Sequence, residues 1–386
     1  MSARRGGGRR ARARQPRGRS RVGEQFEAEV GPVAHGGHCV VRLPEPESRV
    51  VFVRHALPGE RVVLEVTEGT DGDRFWRADA VEVLDASPDR VPAPCPVAGP
   101  GLCGGCDFQH VTLPAQRALK AAVVREQLVR LGRRDADDPL VSGLAVEAVP
   151  GDVDGLRWRT RQRYVALPDG RRGMRKHRSH DVVPVDDCLL EAHAPAAHTV
   201  HGVDFSVAAD GFWQVHPGAP EVLVDAVLDL LAPRSGETAL DLYAGVGLFA
   251  RFLLGAVGRE TRVVAVEGDA AGCDHARLNL SDHPRAVVAH GPVERVLRSS
   301  YDEPFDLVVL DPPREGAGKT VVEQVADRAP RAVAYVACDP AALGRDVATF
   351  ASLGYRLTAL RAFDLFPMTH HVECVALLEK TGSHLR

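Results

Sequence analysis

The strongest constraint on the fold lies between about residue 211 and the end of the chain, where short apolar segments alternate with helical stretches. The apolar segments predict strands at 238–242, 262–266, 307–310, 332–336, 356–363 and 371–378. Such alternation is typical of a doubly wound, mostly parallel sheet with helices on both faces. We therefore predict an α/β fold with a Rossmann-like domain over residues 206–386.

The N-terminal part has a different pattern. Residues 22–86 contain short β-rich segments separated by Gly, Pro or Asp turns, at 27–30, 39–43, 50–53, 61–66 and 77–84. Five short strands in this length predict an OB-like β-barrel, a fold that often binds nucleic acid. Residues 87–205 are predicted to form a small central α+β domain, with a proline-rich linker and an amphipathic helix over 114–132.

Composition restricts the class of protein. No run of eighteen apolar residues occurs, and no apolar segment follows the basic N-terminus, so we predict neither a transmembrane helix nor a secretory signal. A cytoplasmic location is the expectation. Residues 1–21 contain nine arginines and no acidic residue, which predicts a disordered tail. That tail is either a nonspecific phosphate-binding arm or a solvated extension.

Arginine recurs at every second position from Arg157 to Arg163. Alternate side chains of a strand share a face, so this spacing predicts a strand with four arginines on one side. More basic residues follow, namely Arg171, Arg172, Arg175, Lys176 and Arg178. We interpret this segment as a surface that faces RNA.

A glycine-rich turn, Asp241-Leu-Tyr-Ala-Gly245-Val-Gly247, follows the first predicted strand of the C-terminal domain. Glycines there let the backbone approach a ligand at the start of the next helix. Glu267 ends the following strand, where such folds bind ribose hydroxyls. The pattern is compatible with S-adenosylmethionine or with a nicotinamide dinucleotide. Ala250 replaces the third glycine of the dinucleotide fingerprint, which favours S-adenosylmethionine.

Two further strands are predicted to end in polar residues at the same edge of the sheet. One runs into Asp311-Pro-Pro-Arg314, and the next is followed by Cys338. Cys338 is either a packed thiol or a partly exposed nucleophile. Glu373 interrupts the apolar last strand and is either buried or at the exposed edge of that strand. If it is buried, the pKa of its carboxyl should rise toward neutrality, which suits proton abstraction.

A thiol paired with such a carboxylate meets the needs of methylation at carbon 5 of uracil. Carbon 5 is too weakly nucleophilic to attack a methyl sulfonium until a thiolate adds to carbon 6. A base must then remove the hydrogen from carbon 5 so that the thiolate can leave. Because both faces of the ring must be reached, the uridine has to be unstacked.

At these residues the chain resembles the RNA uracil-5 methyltransferase family, most closely the ribosomal RNA branch with an N-terminal TRAM barrel and an iron–sulfur cluster. The resemblance extends from residue 22 to about 380 and rests on four motifs in the expected order. They are Asp241-Leu-Tyr-Ala-Gly-Val-Gly, Asp311-Pro-Pro-Arg, Cys338-Asp-Pro-Ala-Ala-Leu-Gly-Arg-Asp and Phe366-Pro-Met-Thr-His-His-Val-Glu. The resemblance implies methylation of 23S ribosomal RNA, with transfer RNA as the alternative, by a monomer that does not bind membranes.

The resemblance also implies roles for individual residues. Cys338 matches the family's nucleophile and Glu373 its base. The residues expected to contact S-adenosylmethionine are Gln214, Tyr243, Gly245, Gly247, Glu267 and Asp311. The chain departs from the family pattern, without losing a catalytic group, at His216, Ala244, Ala337 and Asp339. A non-catalytic RNA-binding protein of the same architecture is the alternative to an enzyme, and a metal-cluster redox enzyme is a further one.

Four cysteines resemble the family's ligands for a [4Fe–4S] cluster, with a longer gap between the first two: Cys95, Cys103, Cys106 and Cys188. On spacing alone, a tetrahedral zinc site is the alternative. The cluster is expected to be structural and to connect the segment after the barrel with the basic central strands. The remaining cysteines of unassigned role, Cys39, Cys273 and Cys374, are expected to pack.

Overall fold

The computed structural model describes residues 18–382. Most of the predicted tail, 1–21, therefore lies outside the described residues. Two compact units are present, one formed by residues 18–34 with 38–88 and the other by residues 35–37 with 89–382. In the part of the chain that the structure describes, no helix is long and apolar enough to cross a membrane.

The first unit is β-rich, as predicted. Its strands are β1 Gln25–Glu29, β2 Val33–Ala34, β3 His38–Arg42, β4 Val50–Arg54, β5 Arg61–Glu68 and β6 Phe75–Asp85. They form one sheet in the order β1-β5-β6-β4-β3-β2, and its interior includes Val51, Leu64 and Trp76. Arg21 also belongs to this unit, because it donates a hydrogen bond of 2.5 Å to Asp71. The prediction of a disordered tail is therefore wrong at this position.

Residues 89–205 contain one long helix and several short strands. The elements are α1 Leu113–Arg130, α2 Pro139–Ser142, β7 Val146–Glu147, β8 Val165–Ala166, β9 Arg172–Arg175, β10 Val182–Pro184, β11 Thr199–Val200 and β12 Val203–Asp204. Helix α1 begins at the predicted place, with Pro114 in its first turn, where a missing backbone N–H costs no helical hydrogen bond. Strands β8 to β10 form a three-stranded sheet, and β11 pairs with β12.

No strand forms over residues 157–163, contrary to the prediction. Arg157 has a φ of 58°, which an extended strand does not allow. Its guanidinium pairs with Asp187 at 2.5 Å, and the next residue, Trp158, is only 3% exposed. The alternating arginines therefore belong to an irregular segment that packs around a buried indole ring.

The C-terminal part is the predicted α/β domain. Its elements are α3 Ala219–Leu231, β13 Ala239–Leu242, α4 Leu248–Val257, β14 Val263–Glu267, α5 Ala270–Asn279, β15 Ala286–His290, α6 Val293–Ser299, β16 Leu307–Leu310, α7 Gly318–Asp327, β17 Ala332–Ala337, α8 Pro340–Ser352, β18 Tyr355–Phe363 and β19 Glu373–Lys380. The sheet has the order β15-β14-β13-β16-β17-β19-β18-β7. Strand β19 is antiparallel to both neighbours, whereas β13 to β17 are parallel.

Helices cover both faces of this sheet and create two apolar cores. Alternate residues of one strand face opposite cores, as Leu307 and Val308 do. Strand β17 is buried along its whole length, which is typical of a central strand with two covered faces. The preceding segment contacts this domain at several places; for example, β7 pairs with β18 and α1 packs against α8.

Candidate active site

The residues predicted to catalyse the reaction lie at one edge of the large sheet. The carboxyl ends of β14, β13, β16 and β17 meet at this edge because these strands are parallel. Strand β19 runs in the opposite direction, so its amino end lies there too, and Ala337 pairs with Cys374. Cys338 and Glu373 therefore flank the last residue pair of two neighbouring strands.

Cys338 is half-buried at the end of β17, directly before α8. Burial raises the pKa of its thiol to about 12, and the carboxylates of Glu373 and Asp311 act in the same direction. The Arg314 guanidinium opposes this shift. The four side chains are thus close enough to influence each other's charge, and the protonated thiol is favoured at neutral pH.

Glu373 is 4% exposed, so its carboxyl is buried and does not lie at an exposed strand edge. Burial raises its pKa well above the ordinary value, Asp311 adds to the effect and Arg314 opposes it. A carboxylate whose pKa is raised is a stronger proton acceptor than an ordinary glutamate.

The β16–α7 loop (residues 311–317) brings Asp311 and Arg314 to the same edge. Burial raises the pKa of Asp311 to about 7, and the negative charge of Glu267 contributes. The Arg314 guanidinium lies 3.4 Å from the Nε2 atom of His371. Burial, with the nearby His370 and Arg314, lowers the pKa of His371 to about 3, so its ring is neutral and can accept from the guanidinium.

Asp346 on α8 fixes the β16–α7 loop. Its buried Oδ2 atom accepts a hydrogen bond of 2.6 Å from the Tyr335 hydroxyl and one of 2.8 Å from the Ala317 amide. Gly316 has a φ of 89°, and a Cβ there would lie 2.7 Å from the same oxygen, so glycine is required. The sequence analysis missed Asp346 as a site residue, although it ends the third motif.

The glycine turn after β13 has the geometry of a ligand-binding loop. Gly245 and Gly247 have φ values of 55° and 86°, and Tyr243 also has a positive φ, of 65°. Such strain in a residue other than glycine costs about 1–3 kcal/mol and is typical of functional sites. The Gly245 amide donates to Glu267 Oε2 at 2.7 Å, and a Cβ at Gly245 would meet no atom within 4 Å. The turn therefore borders open space beside the predicted ribose-binding carboxylate.

Ala250, at the position of the missing third glycine, has an internal role. Its amide donates to Asp241 Oδ2 at 2.8 Å. Burial raises the pKa of Asp241 to about 7, although the Ala250 amide opposes this shift. The other oxygen, Oδ1, has no hydrogen-bond partner among the described residues. A buried polar atom without a partner beside the glycine turn is a feature of ligand sites.

Gln214 is half-buried in a segment that packs against the β18–β19 loop (residues 364–372). A chain of aromatic rings makes this contact: His216 stacks on Trp158 at 5.9 Å, and Trp158 meets Phe366 edge-on at 5.9 Å. Phe366 in turn meets His371 at 5.8 Å. The segment with the predicted cofactor contact is thus joined to the loop that leads to Glu373.

Comparison with known proteins agrees with this geometry. Residues 293–381 match the family model described as tRNA (Uracil-5-)-methyltransferase, and residues 19–81 match the TRAM domain. A protein of Streptomyces avermitilis, named an RNA methyltransferase, is 44% identical over 94% of this chain and 100% of its own length. A protein of Streptomyces coelicolor with the same description is 44% identical over 95% of each chain. The chain belongs to the RNA uracil-5 methyltransferase family.

A solved structure has the same fold as this family member. It is the tRNA (uracil-54, C5)-methyltransferase of Pyrococcus abyssi in complex with S-adenosyl-L-homocysteine. The TM-score is 0.65 at 20% identity, and the match covers 88% of this chain and 99% of that one. The chain is an RNA methyltransferase of the S-adenosylmethionine-dependent type, with an N-terminal TRAM domain.

The four cysteines predicted to bind a cluster line one cavity of this RNA methyltransferase. Burial raises the pKa of the Cys106 thiol to about 12, and the Gln109 side chain, 3.2 Å from its Sγ atom, opposes this shift. The Gln109 carbonyl also accepts from the Cys95 amide at 3.0 Å. Among residues 18–382, no group of three or more His, Cys, Asp or Glu side chains is arranged to hold a single metal ion. The thiols converge on one cavity without forming a mononuclear site.

The arginines of the predicted RNA-facing strand take separate positions in this methyltransferase. Arg159 lines the cysteine cavity and lies 5.0 Å from the Trp158 ring centre. Arg161 donates a hydrogen bond of 2.7 Å to the Gly211 carbonyl. The prediction of one basic face with four arginines is therefore wrong, because the backbone is not extended and the side chains do not alternate about a sheet.

Polar residues of α1 hold the β18–β19 loop, and the sequence analysis missed them. The Lys120 ammonium is buried and lies 2.5 Å from Asp364 Oδ1 and 3.0 Å from the Phe366 carbonyl. Gln116 accepts the Met368 amide at 2.8 Å. The spacing of Gln116 and Lys120, four residues apart on one helix face, was the available signal.

Proposed function

We propose that this chain transfers a methyl group from S-adenosylmethionine to carbon 5 of a uridine in 23S ribosomal RNA, with Cys338 as nucleophile and Glu373 as base. The placement of these side chains at the ends of the neighbouring strands β17 and β19 carries the proposal. A half-buried thiol beside a buried carboxyl is costly for stability alone, and both groups have a use in uracil methylation.

In the first step the Cys338 thiol loses its proton to solvent, and its sulfur forms a bond to carbon 6 of uracil. The electron pair of the carbon 5–carbon 6 double bond moves toward the carbon 4 oxygen, which gives an enolate whose carbon 5 is nucleophilic. S-adenosylmethionine supplies the electrophilic methyl group that carbon 5 takes up. Arg314 supports this step, because its positive charge lowers the pKa of Cys338 and so stabilises the thiolate.

The second step removes the hydrogen from carbon 5. Glu373 takes it as a proton, the carbon 5–carbon 6 double bond forms again, and the bond from carbon 6 to sulfur breaks. Cys338 leaves as a thiolate and then regains its proton. The raised pKa of Glu373 suits this role, because a more basic carboxylate is a better proton acceptor.

The glycine turn, which borders open space at Gly245, is proposed to bind the methyl donor together with Glu267, Asp311 and Gln214. Glu267 would accept hydrogen bonds from ribose hydroxyls, and its present partners, the amides of Gly245 and Asp269, orient the carboxylate at 2.7 and 2.6 Å. Asp311 and Gln214 would contribute polar contacts from the two neighbouring segments. Gly247 and Tyr243 shape the turn.

Ribosomal RNA is the proposed substrate because the TRAM domain and the four clustered cysteines accompany the catalytic domain. Transfer RNA is the second candidate. It is supported by the name of the matched family, tRNA (Uracil-5-)-methyltransferase, and by the activity for which the Pyrococcus abyssi protein is named.

We also propose that Cys95, Cys103, Cys106 and Cys188 hold a [4Fe–4S] cluster. Each thiolate of such a cluster binds its own iron, so the four sulfurs surround a volume and need not meet at one point. A zinc ion would require all four sulfurs within about 2.3 Å of a single position. The cavity that all four cysteines line supports the cluster.

The test of substrate and product uses labelled S-adenosylmethionine with unmodified transcripts of 23S ribosomal RNA and of transfer RNA, followed by mass spectrometry of the nucleosides. We expect 5-methyluridine in ribosomal RNA only. Label in transfer RNA alone would replace the proposed substrate with the second candidate. No 5-methyluridine in either RNA, from protein that binds S-adenosylhomocysteine, would favour a non-catalytic RNA-binding role.

The test of the cluster uses anaerobically purified protein. We expect a broad absorbance near 400 nm, and about four iron and four sulfide per chain, as a [4Fe–4S] cluster requires. Cys106→Ser should reduce the iron content, whereas Cys273→Ser, at a packed cysteine, should not. One zinc per chain without iron would contradict the cluster.

A further inference from the structure

The loop with three of the four clustered cysteines (residues 95–110, here the cysteine loop) contacts the β18–β19 loop directly. Asp107 follows Cys106 in the chain, and its Oδ2 atom accepts from the His370 amide at 3.1 Å. The same oxygen lies 2.7 Å from the Nδ1 atom of the His370 ring. The backbone amides of Asp107 and Phe108 donate to the Met368 carbonyl at 2.9 and 3.0 Å. Four polar contacts thus join the two loops beside one cysteine.

The same two loops share apolar packing. Met368 is 6% exposed and packs with Trp158 and Leu190 in a small core. Cys106 and Cys188, which both line the cysteine cavity, pack against this core. A change in the distance between these cysteines would therefore also change the packing against Met368 of the β18–β19 loop.

The β18–β19 loop ends at the reacting groups. His370 is followed by His371, whose ring contacts Arg314, and three residues after His370 comes Glu373. A displacement of His370 would therefore be transmitted through two residues to the proposed base. Helix α1 holds the first half of this loop through Lys120, but the contacts at His370 come from Asp107.

We propose that Asp107 is a positioning residue, which couples the cysteine site to the β18–β19 loop through its contacts with His370. A group bound by the four cysteines would then stabilise the position of Glu373. The effect of a bound group rests on the proposed function, in which the four cysteines hold a [4Fe–4S] cluster. The contact from Asp107 to His370 does not depend on it.

Hydrogen–deuterium exchange of the full chain tests this link without any measurement of activity. The samples are the wild-type protein as purified anaerobically, the same protein after iron removal by a chelator, and Asp107→Ala. Asp186→Ala is the matched control, because Asp186 is an exposed aspartate two residues before Cys188 and does not belong to the contacts with the β18–β19 loop.

We expect faster exchange at the amides of Thr369 and His371 in Asp107→Ala with unchanged iron content. These amides do not donate to Asp107, so their exchange reports the order of the loop as a whole. Chelator treatment should have the same effect, whereas Asp186→Ala should not. Exchange in the glycine turn at 241–250 should be unchanged in every sample. Unchanged exchange in Asp107→Ala would overturn the positioning role, and unchanged exchange after iron loss would overturn the link to the bound group.

Kinetics give a second readout. Asp107→Ala should lower kcat by about tenfold to a hundredfold with little change in KM for RNA, since misplacement of a catalytic group by about 1 Å has effects of this size. Asp107→Asn keeps an oxygen that can accept the His370 amide, so it should restore most of kcat. Equal losses in both variants, or a loss confined to KM, would contradict positioning of Glu373. If the wild-type protein methylates no RNA, the proposed function fails while the exchange result still decides the contact.

Discussion

The Tyr335 hydroxyl donates a hydrogen bond of 2.6 Å to the buried carboxylate of Asp346, and the Ala317 amide donates to the same oxygen at 2.8 Å. Tyr335 belongs to β17, which leads to Cys338, and Asp346 belongs to α8, which follows it. One carboxylate therefore fixes the β16–α7 loop relative to the nucleophile.

Replacement of Asp346 by Ala should destabilise the protein and slow methylation. The Tyr335 hydroxyl and the Ala317 amide would lose their shared acceptor, and each buried donor left without a partner costs about 1–3 kcal/mol. Urea unfolding measures the loss. Tyr335→Phe is the control, because it removes one donor and leaves the Ala317 amide bonded, so its loss should be clearly smaller. Equal free energies of unfolding in the two variants would contradict the role of Asp346.

Lys120→Met should lower the free energy of unfolding by about 3–5 kcal/mol, because it leaves Asp364 buried without its partner. The double variant Lys120→Met with Asp364→Leu removes both charges and should recover most of this loss. Chemical denaturation of the two single variants and the double variant measures the coupling. Additive losses would show that the two side chains do not stabilise each other.

Alkylation of Cys338 should depend steeply on pH. The thiolate is the reactive form, and burial with the carboxylates of Glu373 and Asp311 raises the pKa of this thiol to about 12. The rate with iodoacetamide should therefore rise about tenfold per pH unit between pH 7 and 9 without a plateau. Peptide mapping measures labelling at this cysteine. Arg314→Ala should slow the reaction further, since the guanidinium favours the thiolate. A plateau near pH 8 would contradict the raised pKa.

Glu267→Gln should weaken the binding of S-adenosylhomocysteine by about tenfold to a hundredfold. Hydrogen bonds to a charged carboxylate are worth about 1.5–3 kcal/mol, and the amide would accept more weakly from the ribose hydroxyls. Isothermal titration calorimetry measures the change. Glu260→Gln, an exposed glutamate beyond α4, should bind as the wild type does. Equal affinities in all three proteins would remove Glu267 from the donor site.

The strands and motifs of the large sheet were predictable because their signals are local. Uninterrupted apolar runs mark the buried strands, and the polar residues that follow them lie at one edge whenever the strands are parallel. Strand β15 was missed because it lies at the sheet edge and is only half-buried. The position of Cys338 follows from this rule, but that of Glu373 does not, because β19 is antiparallel to β17 and its amino end lies at the same edge.

The supporting contacts could not be predicted because each joins residues far apart in the chain. The buried side of α1 includes Lys120, whose partner Asp364 lies 244 residues away. Asp107 and His370 are separated by 263 residues. The arginine pattern at 157–163 was misleading for a related reason. The buried ring of Trp158 and the pairing of Arg157 with Asp187, rather than local alternation, determine the backbone there.

The covalent chemistry at Cys338 is the central claim, and Glu373→Gln tests it most directly. This variant can form the bond to carbon 6 and accept the methyl group but cannot remove the proton from carbon 5. Incubated with labelled S-adenosylmethionine and unmodified RNA, it should accumulate a protein–RNA adduct that carries the label and survives a denaturing gel. Glu379→Gln, at the exposed end of β19, should turn over without such accumulation. The adduct should vanish when Cys338→Ala is added to Glu373→Gln. No adduct from Glu373→Gln protein that binds both RNA and S-adenosylhomocysteine, or an adduct that persists without Cys338, would contradict the mechanism.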